Sequence, residues 1–159
     1  DGCGTLVAND EYELSCEANI DDVGGILELI EPLEQQGALV KRSRELLETE
    51  ISQFRLLVRD GRIIACAALY PFPDDRCGEI ACIVSHPDYR GGKRGQRLLK
   101  TLEQEARSQG LDRVFVLTTQ TAHWFVEQGF VEADQGALPS AKQSLYNLQR
   151  NSKVFVKTL

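Results

Sequence analysis

Apolar residues recur every three or four positions in four stretches of the chain, a spacing that predicts α-helices. Residues that typically begin or end helices flank these stretches, with acidic residues or serine at the start and proline or glycine at the end. The predicted helices run from Asp21 to Pro32, from Ser43 to Ile51, from the basic loop before Leu98 to Gly110, and from Thr121 to Gln128.

Between the second and third helices, the pattern changes to the apolar runs typical of β-strands. Residues 54–59 and 62–70 flank Asp60 and Gly61, a pair that favours a two-residue hairpin turn. Further strands are predicted over residues 77–85, 114–118, 130–133 and 154–157. Strands and helices in this order predict an α/β fold with a mixed central sheet and helices on both faces.

A chain of 159 residues has the length of one domain with its own hydrophobic core. Residues 1–16 are polar and weakly patterned, so we expect a linker or the end of an upstream domain there, with the main domain spanning residues 17–159. The start lacks the basic and apolar regions of a signal peptide, and the absence of methionine indicates a fragment or a processed product.

Composition narrows the class of partner. Hydrophobic residues make up 42% and charged residues 26% of the chain, as in ordinary globular proteins. No apolar run approaches the roughly 20 residues that a membrane-spanning helix needs. A net charge of -6 disfavours broad binding to nucleic acid or anionic membrane. We therefore predict neither nucleic acid nor membrane as a partner.

Positive charge is nevertheless concentrated in two regions. Five basic residues and no acidic residue lie between Arg90 and Lys100, and no acidic residue occurs from Gln135 to Leu159. These regions indicate small anionic ligands.

The five cysteines form no CxxC pair and no metal-like cluster with the two histidines. Cysteines without such spacing are typically free thiols in a reducing compartment. We therefore predict free thiols, a cytoplasmic location and no metal site.

A glycine-rich basic loop joins the strand over residues 77–85 to the third helix. Main-chain N–H groups at a helix start have no partner within the helix, and glycine lets the main chain approach a phosphate closely. The loop is therefore expected to bind a pyrophosphate, with arginine and lysine contacting further oxygens. The residues predicted to bind it are Arg90, Gly91, Gly92, Lys93, Arg94 and Gly95.

This loop resembles the acyl-CoA pyrophosphate loop of the GNAT superfamily of N-acyltransferases, whose pattern is Q/R-x-x-G-x-G/A. Arg90 and Gly95 match the pattern, whereas Lys93 stands at the position of its middle glycine. The string WFVEQGF at residues 124–130 resembles a later family segment, F-Y-E-x-x-G-F. The resemblance implies the GNAT fold and acyl-CoA as co-substrate. Main-chain N–H groups at Ile83 and Val84 would then polarise the thioester carbonyl.

A closer resemblance covers nearly the whole chain. The strings ILELI (residues 26–30), PLEQQG (32–37), CAALYPFP (66–73) and LYNLQRNSK (145–153) are similar to the acetyltransferase domain of the bacterial N-acetylglutamate synthase family. The resemblance implies acetyl-CoA as co-substrate and L-glutamate as acceptor, in the first step of arginine synthesis. It also implies a preceding amino-acid-kinase-like domain and a homo-oligomer of the longer protein.

L-Glutamate carries two carboxylates, which need cationic or hydrogen-bonding partners, and arginine is the best forked partner. Lys41 or Arg42, between the first two helices, is expected to hold one carboxylate. Arg150 and Ser152, two positions apart and therefore on one face of a strand, are expected to hold the other. Glu79, flanked by apolar residues of its strand, is the candidate general base for the glutamate amine.

Three further residues complete the predicted site. Thr118, at the end of the next strand, is expected to orient the substrate or a water. Tyr146 is a candidate acid for the CoA thiolate, because Phe125 replaces the tyrosine of the family segment. Cys82 is expected to lie beside the substrate without acting as a nucleophile, since direct transfer needs none and a strand cysteine is usually packed.

Two other functions remain open at this point. One is an acetyltransferase for a different amine, such as another amino acid, a polyamine or a protein N-terminus. The acid-free C-terminal segment disfavours cationic acceptors among these. The other is a non-catalytic module that binds acyl-CoA as a sensor.

Overall fold

Seven β-strands form one sheet in the computed structural model, which describes residues 14–37, 41–89, 93–118, 122–139 and 153–159. The strands are β1 (Leu14–Glu17), β2 (Phe54–Arg59), β3 (Arg62–Phe72), β4 (Cys77–Ser85), β5 (Arg113–Thr118), β6 (Val131–Ala133) and β7 (Lys153–Thr158). The helices are α1 (Val23–Gln35), α2 (Arg44–Glu50), α3 (Arg94–Ser108) and α4 (Ala122–Glu127). The strand order in the sheet is β1-β2-β3-β4-β5-β7-β6.

The sheet is mixed. The pairs β1–β2, β2–β3, β5–β7 and β6–β7 are antiparallel, whereas β4 and β5 are parallel, with residues 77–79 opposite residues 113–115. Parallel neighbours need a crossover connection, and α3 lies between β4 and β5 in the chain. These elements confirm the predicted α/β fold.

The chain divides into two compact units. The first comprises the described parts of Asp1–Ala68 and Cys82–Lys100, and the second those of Leu69–Ala81 and Thr101–Leu159. The strand β4 is divided between the two units, with Glu79 in the second unit and Cys82, Ile83 and Val84 in the first. The second unit has an apolar core of Cys77, Phe115, Leu138 and Val154.

In the first unit, the β2–β3 hairpin turns at Asp60 and Gly61, whose φ angles are 55° and 73°. Both values lie in the left-handed region that the favoured two-residue turns use, so the predicted turn is confirmed. The helix α1 approaches β3 closely, because a β-carbon at Gly25 would lie 2.7 Å from Ile63 Cδ1.

Two local predictions in the first unit are wrong. The helix α1 continues through Pro32 to Gln35, and the Gln36 N–H donates to the Pro32 carbonyl at 3.1 Å. Proline lacks its own N–H donor but keeps its carbonyl as an acceptor for the next turn. Leu14–Glu17 form the strand β1, which the weak pattern does not predict, because the partner strand β2 lies far away in the chain.

Cys66, Cys77 and Cys82 are buried free thiols. Cys16 is disulfide-bonded, so the prediction of free thiols is wrong at this position. Spacing along the chain does not reveal such a bond, because disulfide formation depends on distances in the folded protein.

A buried ion pair links α3 to β7 in the second unit. Glu103 is 5% exposed, and its Oε2 lies 3.0 Å from Lys157 Nζ. The same ammonium donates to the Gln128 carbonyl at 2.9 Å and lies 5.9 Å from the centre of the Phe130 ring. A carboxylate buried in protein is unfavourable unless it is paired, so Lys157 offsets the burial of Glu103.

Candidate functional site

Buried polar side chains mark part of the site in the second unit. In the described part of the chain, the buried polar or charged residues are Glu79, Glu103 and Thr118. Lys157 accounts for the burial of Glu103. The other two, Glu79 and Thr118, are among the residues predicted to be catalytic.

Glu79 lies within β4, opposite Phe115 of β5, in the last of the three parallel residue pairs. The residue is 8% exposed. A β-carbon at the preceding Gly78 would lie 2.8 Å from Leu69 Cδ1, so β4 is closely packed immediately before Glu79. The fold therefore holds a carboxylate in a protected position, which suits a general base.

Thr118 is the last residue of β5 and lies opposite Lys153 of β7. Thr118 is buried and stands at the strand end, where the sequence predicts it, and its role toward substrate or water stays a prediction. Tyr146, Arg150 and Ser152 lie outside the described residues, and their roles stay predictions.

In the first unit, the second half of β4 has an irregular backbone. Cys82 has a φ angle of 56°, a left-handed conformation that is rare for a non-glycine residue inside a strand. The Cys66 thiol of β3 donates to the Cys82 carbonyl at 3.4 Å. An irregularity of this kind re-aims main-chain groups, and it directly precedes Ile83 and Val84, the residues predicted to polarise the thioester.

Side-chain contacts link the turn directly after β4, at residues 86–89, to the start of α3. The Arg94 guanidinium donates to the Tyr89 carbonyl at 2.6 Å and lies 5.4 Å from the centre of the Tyr89 ring. The His86 ring meets the same ring edge-on, with 5.7 Å between ring centres. Arg94 therefore fixes the start of α3 against the preceding turn.

Lys93 has a φ angle of 61°, and its carbonyl accepts the Arg97 N–H at 3.0 Å. The residue at the position of the family's middle glycine is thus left-handed, a conformation that glycine adopts without strain. Gly95 follows in the first turn of α3. Arg90, Gly91 and Gly92 lie outside the described residues.

Replacing Lys93 with glycine is expected to raise the free energy of unfolding by about 0.5–1 kcal/mol, because the left-handed clash of a β-carbon disappears. The matched control, Lys100→Gly in the middle of α3, should lower it by about 1 kcal/mol, since glycine is a poor helix former. Chemical denaturation of both variants measures the two shifts. A loss of stability in Lys93→Gly would contradict a strained Lys93.

The connection between α1 and α2 carries Lys41, which is exposed, and Arg42, which is half-buried. The Arg42 N–H donates to Glu34 Oε2 at 2.9 Å, which fixes the main chain at this position. Burial raises the pKa of the Cys66 thiol, Cys82 adds to the rise, and the positive charge of Arg42 opposes it. Of the two candidate cations, Arg42 is thus the more enclosed, and its main chain is the one held by a hydrogen bond to the Glu34 side chain.

Glu34, Cys66 and Tyr89 support the predicted site residues, yet the sequence does not mark them. Cys66 stands in an apolar run that predicts only burial. Glu34 and Tyr89 act through contacts with Arg42 and Arg94 that no periodic pattern encodes.

Within the described ranges, no group of three or more histidine, cysteine, aspartate or glutamate side chains is arranged to hold a metal ion. No helix among these residues is long and apolar enough to cross a membrane.

Comparison with known sequences gives consistent matches. The model of the acetyltransferase (GNAT) family matches residues 24–130. The amino-acid acetyltransferase of Pseudomonas fluorescens is 60% identical over 159 residues, which are 100% of this chain and 37% of that protein. The amino-acid acetyltransferase of Ectopseudomonas mendocina is 60% identical over 158 residues, 99% of this chain and 37% of that protein. The chain thus spans little more than a third of these relatives.

A solved structure agrees with these matches. The N-acetylglutamate synthase from Neisseria gonorrhoeae, complexed with coenzyme A and N-acetyl-glutamate, has a TM-score of 0.90 at 41% identity. The alignment covers 96% of this chain and 36% of that chain.

Proposed function

This chain belongs to the acetyltransferase (GNAT) family, and we propose that it transfers the acetyl group of acetyl-CoA to the α-amine of L-glutamate. The observation that carries the proposal is 60% identity over the whole chain to a protein named amino-acid acetyltransferase. In addition, a relative at 41% identity is complexed with coenzyme A and N-acetyl-glutamate, which are the two products of this reaction.

The proposed reaction is a direct transfer. The amine nitrogen bonds to the thioester carbonyl carbon, the carbon–sulfur bond breaks, and CoA leaves as a thiolate. The glutamate amine is mostly protonated at neutral pH, so it must lose a proton before it attacks. We assign this proton to Glu79, because its carboxylate is buried on β4 at the position predicted for a base. The amine nitrogen loses a second proton as the carbon–sulfur bond breaks, and Tyr146 or water passes this proton to the CoA thiolate.

The residues assigned to acetyl-CoA lie in the first unit. The N–H groups of Ile83 and Val84 polarise the thioester carbonyl, and the left-handed Cys82 just before them supports this assignment. The loop over residues 90–95 and the N-terminus of the 15-residue helix α3 bind the pyrophosphate. The engagement of the Arg94 guanidinium with Tyr89 supports a role for Arg94 in holding the turn at Tyr89 against the start of α3.

Arg42 is assigned to one glutamate carboxylate, since it is half-buried and its main chain is fixed by Glu34. Arg150 and Ser152 are assigned to the other carboxylate on the family resemblance. The same resemblance implies a homo-oligomer of the longer protein, whereas the cytoplasmic location is predicted from the spacing of the cysteines; both stay predictions.

Release of CoA from acetyl-CoA tests the acceptor, with L-glutamate compared with aspartate, glutamine, ornithine, lysine and polyamines. We expect turnover with glutamate and background rates with the cationic amines. Turnover confined to a different amine would overturn the acceptor while keeping the family. Acetyl-CoA binding without turnover, both in this chain and in the longer protein, would favour a sensor.

Arg42→Gln is expected to raise KM for L-glutamate by about 10- to 100-fold, the effect of losing one charge-assisted hydrogen bond. KM for acetyl-CoA should stay unchanged, because Arg42 is assigned only to the acceptor. Arg44→Gln is the matched control, since Arg44 is exposed and forms a surface ion pair with Glu48 at 3.3 Å. Steady-state kinetics with each substrate varied in turn make the comparison. Equal KM values in the two variants would remove Arg42 from the substrate site.

A further inference from the structure

The irregular part of β4 is held by a buried thiol. Cys82 adopts its left-handed conformation with a φ angle of 56°, and its carbonyl accepts a hydrogen bond from Cys66 Sγ at 3.4 Å. Cys66 is 0% exposed and Cys82 is 3% exposed. An unfavourable backbone conformation persists only where its surroundings hold it, and the Cys66 thiol is one of the groups that does so.

A second hydrogen bond holds the same segment at its other end. The His86 N–H donates to the Ile64 carbonyl at 2.7 Å. Ile64 and Cys66 lie two positions apart on β3, so β3 holds this segment at Cys82 within β4 and again at His86, the residue directly after β4. The residues held between these two contacts are 83–85, which include the N–H groups assigned to the thioester carbonyl.

The Cys66 thiol is suited to donate this hydrogen bond at neutral pH. Burial raises its pKa, Cys82 adds to the rise, and Arg42 opposes it. A protonated thiol is a weak donor and a poor nucleophile. Cys66 therefore acts on the main chain of its neighbour and not by covalent chemistry.

We propose that Cys66 is a positioning residue for acyl transfer. Its hydrogen bond to the Cys82 carbonyl holds the backbone that aims the N–H groups of Ile83 and Val84. The role of these N–H groups toward the thioester carbonyl rests on the proposed function. The restraint on the backbone rests on the two hydrogen bonds themselves. Because such groups act most strongly on the charge of the transition state, loss of the donor should lower kcat more than it raises KM.

The test compares three substitutions at Cys66 with one control. Cys66→Ala removes the donor, Cys66→Val removes it while filling the volume, and Cys66→Ser keeps a hydroxyl donor. Cys77→Ala is the matched control, since Cys77 is also a free thiol of 0% exposure and lies on β4. The readouts are steady-state kinetics with acetyl-CoA and L-glutamate, and amide hydrogen exchange of residues 83–85 by NMR without substrate.

We expect Cys66→Ala and Cys66→Val to lower kcat about tenfold, the effect of losing one modest hydrogen bond, with KM for acetyl-CoA nearly unchanged. Amide exchange at residues 83–85 should speed up in both. Cys66→Ser and Cys77→Ala should stay close to the unsubstituted chain in kcat and in exchange at these residues.

Three results would overturn the proposal. The first is a kcat of Cys66→Ser as low as that of Cys66→Ala. The second is an equal loss of kcat in Cys77→Ala. The third is unchanged amide exchange at residues 83–85 in the alanine and valine variants of Cys66. If neither the unsubstituted chain nor the longer protein shows turnover, the proposed function fails. Amide exchange still decides in that case whether Cys66 holds the segment.

Discussion

Glu79→Gln is expected to lower kcat with acetyl-CoA and L-glutamate by about 10²- to 10⁴-fold, the range that general acid–base catalysis typically contributes. Glutamine has nearly the shape of glutamate but cannot take the amine proton. Acetyl-CoA affinity should change little, because the groups assigned to the co-substrate lie in residues 83–95. Steady-state kinetics and calorimetric titration with acetyl-CoA measure the two quantities.

Glu132→Gln is the matched control for Glu79→Gln, since it makes the same chemical change at an exposed glutamate of β6. It should leave kcat unchanged. A kcat for Glu79→Gln near that of the control would contradict the assignment of the base. Loss of acetyl-CoA binding together with kcat would show that Glu79 serves the fold and not the proton transfer.

Lys157→Met is expected to lower the free energy of unfolding by about 3 kcal/mol, because removing one partner of a buried ion pair leaves the other charge unpaired. The Glu103 side chain is 6% exposed, so water reaches it poorly. The Gln128 carbonyl loses the same donor. Chemical denaturation gives the free energy. Thermal unfolding should show a Tm lower by about 6–12 °C for a domain of this size.

Two variants calibrate this result. Glu103→Gln should destabilise less than Lys157→Met, because the Lys157 side chain is 26% exposed and its charge can still reach water. Glu48→Gln removes the surface ion pair between Glu48 and Arg44, whose side chains are 42% and 59% exposed respectively. It should lower the free energy of unfolding by only about 0.3–0.5 kcal/mol. Equal losses in Lys157→Met and Glu48→Gln would mean that burial adds nothing to the Glu103 pair.

The elements that carry the site were largely predictable from local sequence. The bounds of β4, Cys77–Ser85, match the predicted strand, because a continuous apolar run between turns defines a buried strand. The turn at Asp60 and Gly61 follows from the backbone preferences of those two residues. The burial of Glu79 and Thr118 follows in turn from their positions within such strands.

The contacts that shape the site were not predictable in this way. Nothing in the residue type of Cys82 signals a left-handed backbone, and the thiol that contacts its carbonyl, that of Cys66, comes from another strand. Lys93 adopts a glycine-like conformation although its side chain disfavours it, because the start of α3 fixes it there. Such features depend on tertiary packing, which a periodic pattern does not encode.

The most direct test of acetyl transfer to glutamate is the identification of the product. The chain is incubated with acetyl-CoA and ¹⁵N-labelled L-glutamate, and mass spectrometry quantifies labelled N-acetylglutamate beside the CoA thiol that is released. We predict one molecule of N-acetylglutamate for each CoA thiol, with both rates falling together in Glu79→Gln. Thiol release without N-acetylglutamate, or acetyl-CoA binding without either product, would contradict this account.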